Sequence, residues 1–119
     1  MAHALLDTNV IIDHLENRLV NFDFGNRTYA ISTLTIFELL TYPGMGLAEE
    51  MDLRLIVNNC EHIPVTFKIA ERAASLGRTR RRKSLDLFIA ASAIEFNLTL
   101  FTNNIRDFKN IPGLKVKKI

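Results

Sequence analysis

The sequence predicts an α/β fold, a three-layer sandwich with a central, mostly parallel sheet of four or five strands and helices on both faces. Short runs of strand-forming residues alternate with longer stretches in which apolar residues recur at helical spacing. The 119 residues are 48% apolar and 24% charged, the balance of an ordinary globular protein, and suffice for one hydrophobic core. We therefore expect residues 1–119 to form a single domain.

The first expected strand covers residues 3–6 and ends at Asp7, where an apolar run meets its first acid. Thr8 or Asn9 is expected to cap the next helix, because either side chain can accept a hydrogen bond from a free N–H at a helix start. The apolar positions of this helix are Val10, Ile11 and Leu15.

A second strand is expected over 29–31, directly before a helix that begins at 32–33. Pro43-Gly44 ends that helix, and residues 47–59 form the next one. The expected core face of the helix after the second strand comprises Ile36, Phe37 and Leu40.

The third expected strand, 62–65, lies at an edge or is irregular, because Pro64 has no N–H to donate to a neighbouring strand. Thr66 is expected to cap the following helix, and Gly77 is expected to close it.

Ser84 is expected to cap a further helix, which ends at Asn97 in a left-handed conformation. Strands are expected over 98–101 and, more briefly, over 114–116. Because parallel strands end at the same edge of a sheet, Asp7 and the polar residues after 98–101 should meet in one cleft. The apolar positions expected on this helix are Leu85, Phe88, Ile89 and Phe96.

Positive charge is concentrated in the second half of the chain. Residues 1–60 carry three Lys or Arg against eight acids, whereas residues 61–119 carry twelve against five. Such asymmetry is typical of a protein that binds a polyanion, but it also fits a solvated loop or a docking site for an acidic inhibitor segment. The densest basic segment, a candidate RNA-binding site, contains Arg78, Arg80, Arg81, Arg82 and Lys83.

Several classes of protein are excluded by missing patterns. The sequence has no HExxH, GxSxG, GxxxxGK[ST] or GxGxxG motif, which removes the common zinc, nucleophile-elbow and nucleotide-binding sites. One cysteine excludes a disulfide framework, and no apolar run is long enough for a membrane span. The start lacks the basic region of a signal peptide, so we expect a cytoplasmic protein without a membrane anchor.

Acids placed beside apolar residues are the main chemical signal: Asp7, Glu38 and Asp86 all lie in apolar surroundings. A partly desolvated carboxylate needs a cation, a hydrogen-bond donor or a proton. Several such carboxylates favour a hard divalent cation, Mg²⁺ or Mn²⁺, if they converge.

Each acid also has a purely structural interpretation. Thr35 and Glu38 match a capping box, and Asp86 could complement the helix start after Ser84. Asn104 and Asp107 match an N-cap followed by a first-turn acid in the same way. Taken singly, these interpretations are as good as the functional one.

The motifs together resemble the PIN-domain ribonucleases, over nearly the whole chain and in the same order. Residues 5–13, LLDTNVIID, are similar to the opening of that family, and TLTIFELL at 33–40 resembles its second motif, a glutamate on a helix. DLFIAASA at 86–93 resembles the third motif. TNNIRDF at 102–108, followed by IPGL at 111–114, resembles the end of the VapC toxin branch.

This resemblance implies an α/β/α sandwich and endoribonuclease activity that depends on Mg²⁺ or Mn²⁺. It implies that Asp7, Glu38 and Asp86 hold the metal, with Asn104 in the fourth position of the site and Asp107 three residues later. Thr8 and Thr102 would support these residues. It further implies a homodimer that is inhibited by a VapB-type antitoxin.

Two other classes of function remain open from the residues themselves. A catalytically silent PIN-like domain that binds RNA or protein is compatible with Asn104, because the amide could reflect reduced metal affinity. A receiver-like signalling module has a similar order of elements, but Thr102-Asn103-Asn104 lacks the lysine that such a module needs after a late strand.

Overall fold

The computed structural model describes residues 2–17, 19, 22, 24–80 and 84–119, and its sheet confirms the predicted α/β/α fold. The strands are parallel and lie in the order β3-β2-β1-β4-β5, so that β1 is central and β3 and β5 are the edges. They are β1 (Leu5–Leu6), β2 (Ala30–Ser32), β3 (Glu61–Ile63), β4 (Leu100–Thr102) and β5 (Val116–Lys118).

Helices connect consecutive strands, as a parallel sheet requires. In the described part of the chain they are α1 (Thr8–Leu15), α2 (Thr33–Leu40), α3 (Leu47–Asn58), α4 (Phe67–Arg80), α5 (Leu85–Glu95) and α6 (Ile105–Phe108).

Alternate residues of each inner strand face opposite sides of the sheet and form two hydrophobic cores. Leu5 and Leu100 pack in the core that includes residues of α4 and α5. Leu6 and Phe101 pack on the other side with residues of α1, α2 and α3. These strands are buried on both faces, which explains why they contain nearly continuous apolar runs in the sequence.

The starts of the first two helices place polar residues at the carboxyl ends of β1 and β2. Asp7, rather than Thr8 or Asn9, is the cap of α1, because its carboxylate accepts a hydrogen bond from the Thr8 N–H. Ser32 caps α2 as predicted. The prediction that Phe37 packs in the core is wrong, since its side chain is 62% exposed.

Helix α4 begins as predicted, with the Thr66 hydroxyl accepting a hydrogen bond from the Ile69 N–H. The predicted end at Gly77 is wrong, because α4 continues to Arg80. A glycine inside a helix costs only about 1 kcal/mol relative to alanine, and the burial of Ile69 and Ala73 in the core opposes that cost.

Helix α5 has the predicted boundaries at both ends. Ser84 accepts a hydrogen bond from the Asp86 N–H, and Asn97 has a φ of +52° just after the helix. Leu85 and Phe96 were expected on the apolar face but are about half exposed. The core is formed instead by the middle of the helix, where residues 89–93 are all buried.

Proline and glycine determine where the edge strands begin and end. β3 stops at Ile63, directly before Pro64, and is an edge strand as predicted. β5 begins at Val116, two residues later than the predicted start. The preceding turn explains this shift, because the Leu114 N–H bonds to the Ile111 carbonyl and Gly113 has a φ of +82°.

Cys60 lies between α3 and β3 and is buried. Burial raises the pKa of its thiol to about 11. None of the helices that the structure describes is long and apolar enough to cross a lipid bilayer.

Candidate active site

Asp7 is a buried acid at the carboxyl end of the central strand. Its Oδ1 accepts a hydrogen bond of 2.9 Å from the Thr8 N–H. Its Oδ2 accepts hydrogen bonds from the Thr102 hydroxyl at 2.8 Å and from the Asn9 amide at 3.1 Å. Three donors therefore hold this carboxylate in one orientation, and the predicted meeting of Asp7 with Thr102 is confirmed, at the last residue of β4.

Glu38 is brought to the same region by a hydrogen bond from α1. The Thr8 hydroxyl donates to Glu38 Oε1 at 2.9 Å, and the Thr35 hydroxyl oxygen lies 3.3 Å from that of Thr8. Because α2 is capped by Ser32, Thr35 and Glu38 do not form a capping box. The capping-box interpretation of Glu38 is thus wrong, and its carboxylate is instead oriented by Thr8 of another helix.

Asp86, in the first turn of α5, is the second acid besides Glu38 whose charge acts on Asp7. Burial raises the pKa of Asp7, and this is the largest effect on it. The hydrogen bonds from Thr102 and Thr8 lower this pKa, whereas the negative charges of Asp86 and Glu38 raise it further. Asp86 and Glu38 therefore both lie close enough to Asp7 for their charges to act on it, and the effect is repulsive.

The end of β4 and the segment that follows it, through α6, carry the remaining predicted residues. The Thr102 hydroxyl accepts a hydrogen bond of 2.9 Å from the Asn104 N–H while it donates to Asp7. The Asn104 side-chain amide donates to the Asp107 carboxylate. Asn104 precedes α6, but the structure gives it no side-chain cap hydrogen bond. The amide is therefore directed at Asp107 rather than at the backbone of its own helix.

Residues that sequence reasoning did not select complete this polar network. Asn9 donates to Asp7 and accepts a hydrogen bond of 3.1 Å from the Asn103 N–H, and the Asn103 amide donates to Asp13. The position of Asn9 in the sequence predicts only a helix cap. Asn103 and Asn9 are 94 positions apart, so no local pattern connects them. Thr35 is fully buried, and its hydroxyl lies beside that of Thr8. This burial is visible in the structure and not in the sequence.

Only part of the basic segment lies in the described residues. Arg78 is exposed near the end of α4. The Arg80 guanidinium donates to the backbone carbonyls of Asn110 and Lys109. This contact joins α4 to the turn after α6. Outside the described residues lie Arg81, Arg82 and Lys83.

The donor set fits a hard divalent cation better than a soft one, because the converging groups are carboxylate oxygens. Among the described residues, no three His, Cys, Asp or Glu side chains are arranged to hold an ion directly. Mg²⁺ retains several water molecules and needs only one or two carboxylates, so this arrangement still fits it. A divalent charge near Asp7 would also oppose the repulsion from Asp86 and Glu38.

The raised pKa of Asp7 predicts a specific pH dependence of stability in metal-free buffer. The stability that Asp7 contributes is complete below its unfolded pKa of 3.8 and is lost as pH rises through the higher folded pKa. The free energy of unfolding of the wild type should therefore fall, relative to Asp7→Asn, as pH rises from about 4 through the raised pKa of Asp7. Urea titrations of both proteins in chelator would measure this difference. A difference that stays constant with pH would contradict the prediction.

Comparison with known proteins identifies the family. The PIN domain family model matches residues 4–114. The "Ribonuclease VapC2" of Rickettsia felis is 32% identical, over 92% of both chains, and the "tRNA(fMet)-specific endonuclease VapC" of Salmonella typhimurium is 28% identical, over 98% of both. A solved "Toxin-antitoxin complex from Klebsiella pneumoniae" contains a chain with 29% identity and a TM-score of 0.76, with 98% of this chain and 99% of that chain covered. The chain therefore belongs to the PIN domain family, within its VapC branch.

Proposed function

We propose that this protein is a VapC-type ribonuclease, the toxin of a toxin–antitoxin pair, and that it hydrolyses RNA phosphodiester bonds with Mg²⁺ or Mn²⁺. The observation that carries the proposal is a buried carboxylate, Asp7, on which two further negative charges act, those of Asp86 and Glu38. Such a group of acids is unfavourable alone and becomes favourable when a divalent cation binds. The names of the VapC relatives support RNA as the substrate class.

The proposed metal-binding residues are Asp7 and Asp86, with Glu38 binding directly or through water. When bound, the cation would lower the pKa of a coordinated water and neutralise negative charge that develops on the phosphate in the transition state. Asn104 and Asp107, joined by their side-chain hydrogen bond, complete the proposed catalytic set.

The chain's own residues provide orientation. The hydrogen bonds from Thr8, Asn9 and Thr102 hold the Asp7 carboxylate. Thr8 also binds Oε1 of Glu38, and we assign to Oε2 the role of orienting the water that attacks the phosphorus in line. Because water is the nucleophile in this scheme, the 2′-hydroxyl of the RNA is not required.

We further propose the biological setting. A VapB-type antitoxin is the expected inhibitor, which the toxin–antitoxin complex among the similar structures supports. We propose that residues 1–119 act as one domain, that the toxin is a homodimer and that it works in the cytoplasm. The basic residues that could contact RNA in this proposal are Arg78, Arg80, Arg81, Arg82 and Lys83.

Removal of divalent cations tests the proposed reaction. Cleavage of RNA by the purified chain should be lost in EDTA and restored by excess Mg²⁺ or Mn²⁺, since the carboxylates cannot provide a Lewis acid themselves. A contaminating metal-independent ribonuclease would remain active in EDTA, so the loss of cleavage in EDTA excludes such a contaminant. RNA binding without cleavage at any concentration of either metal would contradict the proposal and support a catalytically silent domain.

A further inference from the structure

The edge strand β5 is basic and exposed beside the candidate active site. Lys117 and Lys118 are both exposed, and Lys115 precedes them. Lysines on an edge strand often prevent other chains from adding to the sheet. That role requires only positive charge along the strand, so it does not distinguish one lysine from another.

The strand register does distinguish them. Lys118 pairs with Thr102, whose hydroxyl donates to Asp7, whereas Lys117 pairs with Phe101 and has its ammonium 5.6 Å from the centre of that ring. Lys118 is thus at the carboxyl edge of the sheet, two strands from the end of β1. The backbone of Lys118 is therefore about 10 Å, or two strand spacings, from the end of β1. A lysine side chain extends about 6 Å, so its ammonium can cover about half of that distance.

The charges around the candidate active site favour one path for a bound polyanion. Arg106, on the short helix after β4, is exposed near the same edge of the sheet. The groove between α1, α2 and α3 is bordered instead by acids, namely Glu16, Glu49 and Asp52. A phosphate backbone is therefore attracted over the ends of β4 and β5 and repelled from this groove.

We propose that Lys118, together with Arg106, binds a phosphate of the RNA next to the scissile one. The RNA chain then leaves the active site across the carboxyl ends of β4 and β5. This inference rests on the proposed ribonuclease function. It assigns substrate contacts to residues outside the segment 78–83, in which Arg80 already binds backbone carbonyls.

The test measures RNA affinity in an Asp7→Asn background, so that binding is observed without cleavage. The probe is unfractionated tRNA, titrated at several KCl concentrations. Lys118→Ala should weaken binding about fivefold at low salt and reduce the slope of log K against log salt by about 0.7 to 0.9, the effect of one lost phosphate contact. Arg106→Ala should act similarly, and Lys118→Arg should bind like the parent.

Lys115→Ala is the matched control, because it removes the same charge from the residue directly before the other end of β5. Lys115 donates to Asn97, and about 10 Å of strand separates it from Lys118. At physiological salt this distance exceeds the Debye length, about 8 Å, so in the titration point at that salt the effect of Lys115→Ala should be below about twofold. Thermal midpoints should be unchanged in all of these variants.

The outcomes separate this inference from the proposed function. Equal losses for Lys118→Ala and Lys115→Ala, or no loss for either, would overturn the inference while the wild type still cleaves RNA. A wild type that neither binds nor cleaves RNA would overturn both. A loss that is confined to Lys118→Ala and Arg106→Ala supports the proposed path.

Discussion

Replacing Asp7 with asparagine is expected to reduce RNA cleavage about a thousandfold, because it removes a charge from the proposed metal site. The substitution preserves the size of the side chain at this buried position. Single-turnover rates at saturating Mg²⁺ would measure the loss of catalysis separately from a loss of substrate binding. The fold should survive, as circular dichroism can verify.

Asp52→Asn is the matched control for this experiment. It makes the same chemical change on an exposed residue of α3, at the acidic border of the groove. Its rate of cleavage should equal that of the wild type. If Asp7→Asn were as active as Asp52→Asn, the assignment of Asp7 to the metal site would be wrong.

Phe108→Ala is expected to have the largest effect on stability, about 3 to 5 kcal/mol. Phe108 is 1% exposed and is the largest of the fully buried side chains. It belongs to α6, which has only four residues and cannot be stable without packing. The loss approaches the lower end of the stability of typical domains, about 5 kcal/mol, and it would also release Asp107 from its position beside Asn104.

Phe67→Ala makes the same change at a phenylalanine that is 82% exposed. Its free energy of unfolding should stay within about 0.5 kcal/mol of the wild type. Urea titrations of the two variants would give the comparison. Similar losses in both would show that burial of Phe108 does not hold α6 in place.

Much of the fold could be predicted because its signals are local. The acid after an apolar run located the end of β1, and Ser32 and Ser84 marked the starts of α2 and α5. Alternation of strands and helices then determined a parallel sheet with its polar strand ends on one side. The convergence of Asp7 with Thr102 follows from that topology, without any knowledge of the side-chain contacts.

The errors arose where tertiary packing or turn geometry outweighs local preference. Gly77 was expected to end α4, but the core contacts of that helix oppose the cost of one glycine. Leu114 was expected in a strand, but the Pro112-Gly113 turn delays β5 by two residues. Phe37 follows the helical period and is nevertheless exposed, because α2 buries its opposite side.

The polar network of the candidate site could be predicted only in part. Asp7, Glu38 and Asp86 were recognisable as acids in apolar surroundings, since burying a charge is costly. The hydrogen bonds that Asn103 donates to Asn9 and to Asp13 join positions at least 90 residues apart. Such pairings depend on strand order and on rotamers, and neither leaves a pattern in the neighbouring sequence.

Because Cys60 is buried, the reactivity of its thiol can report when the structure around it opens locally. Since its pKa is about 11, the thiol is almost entirely protonated at neutral pH, and alkylating reagents attack the thiolate. Modification by iodoacetamide therefore requires the corner between α3 and β3 to open first. The alkylation rate of the unmutated chain would therefore measure how often this corner opens. A slower rate after a ligand is added would show that binding at the candidate active site rigidifies the sheet edge at β3.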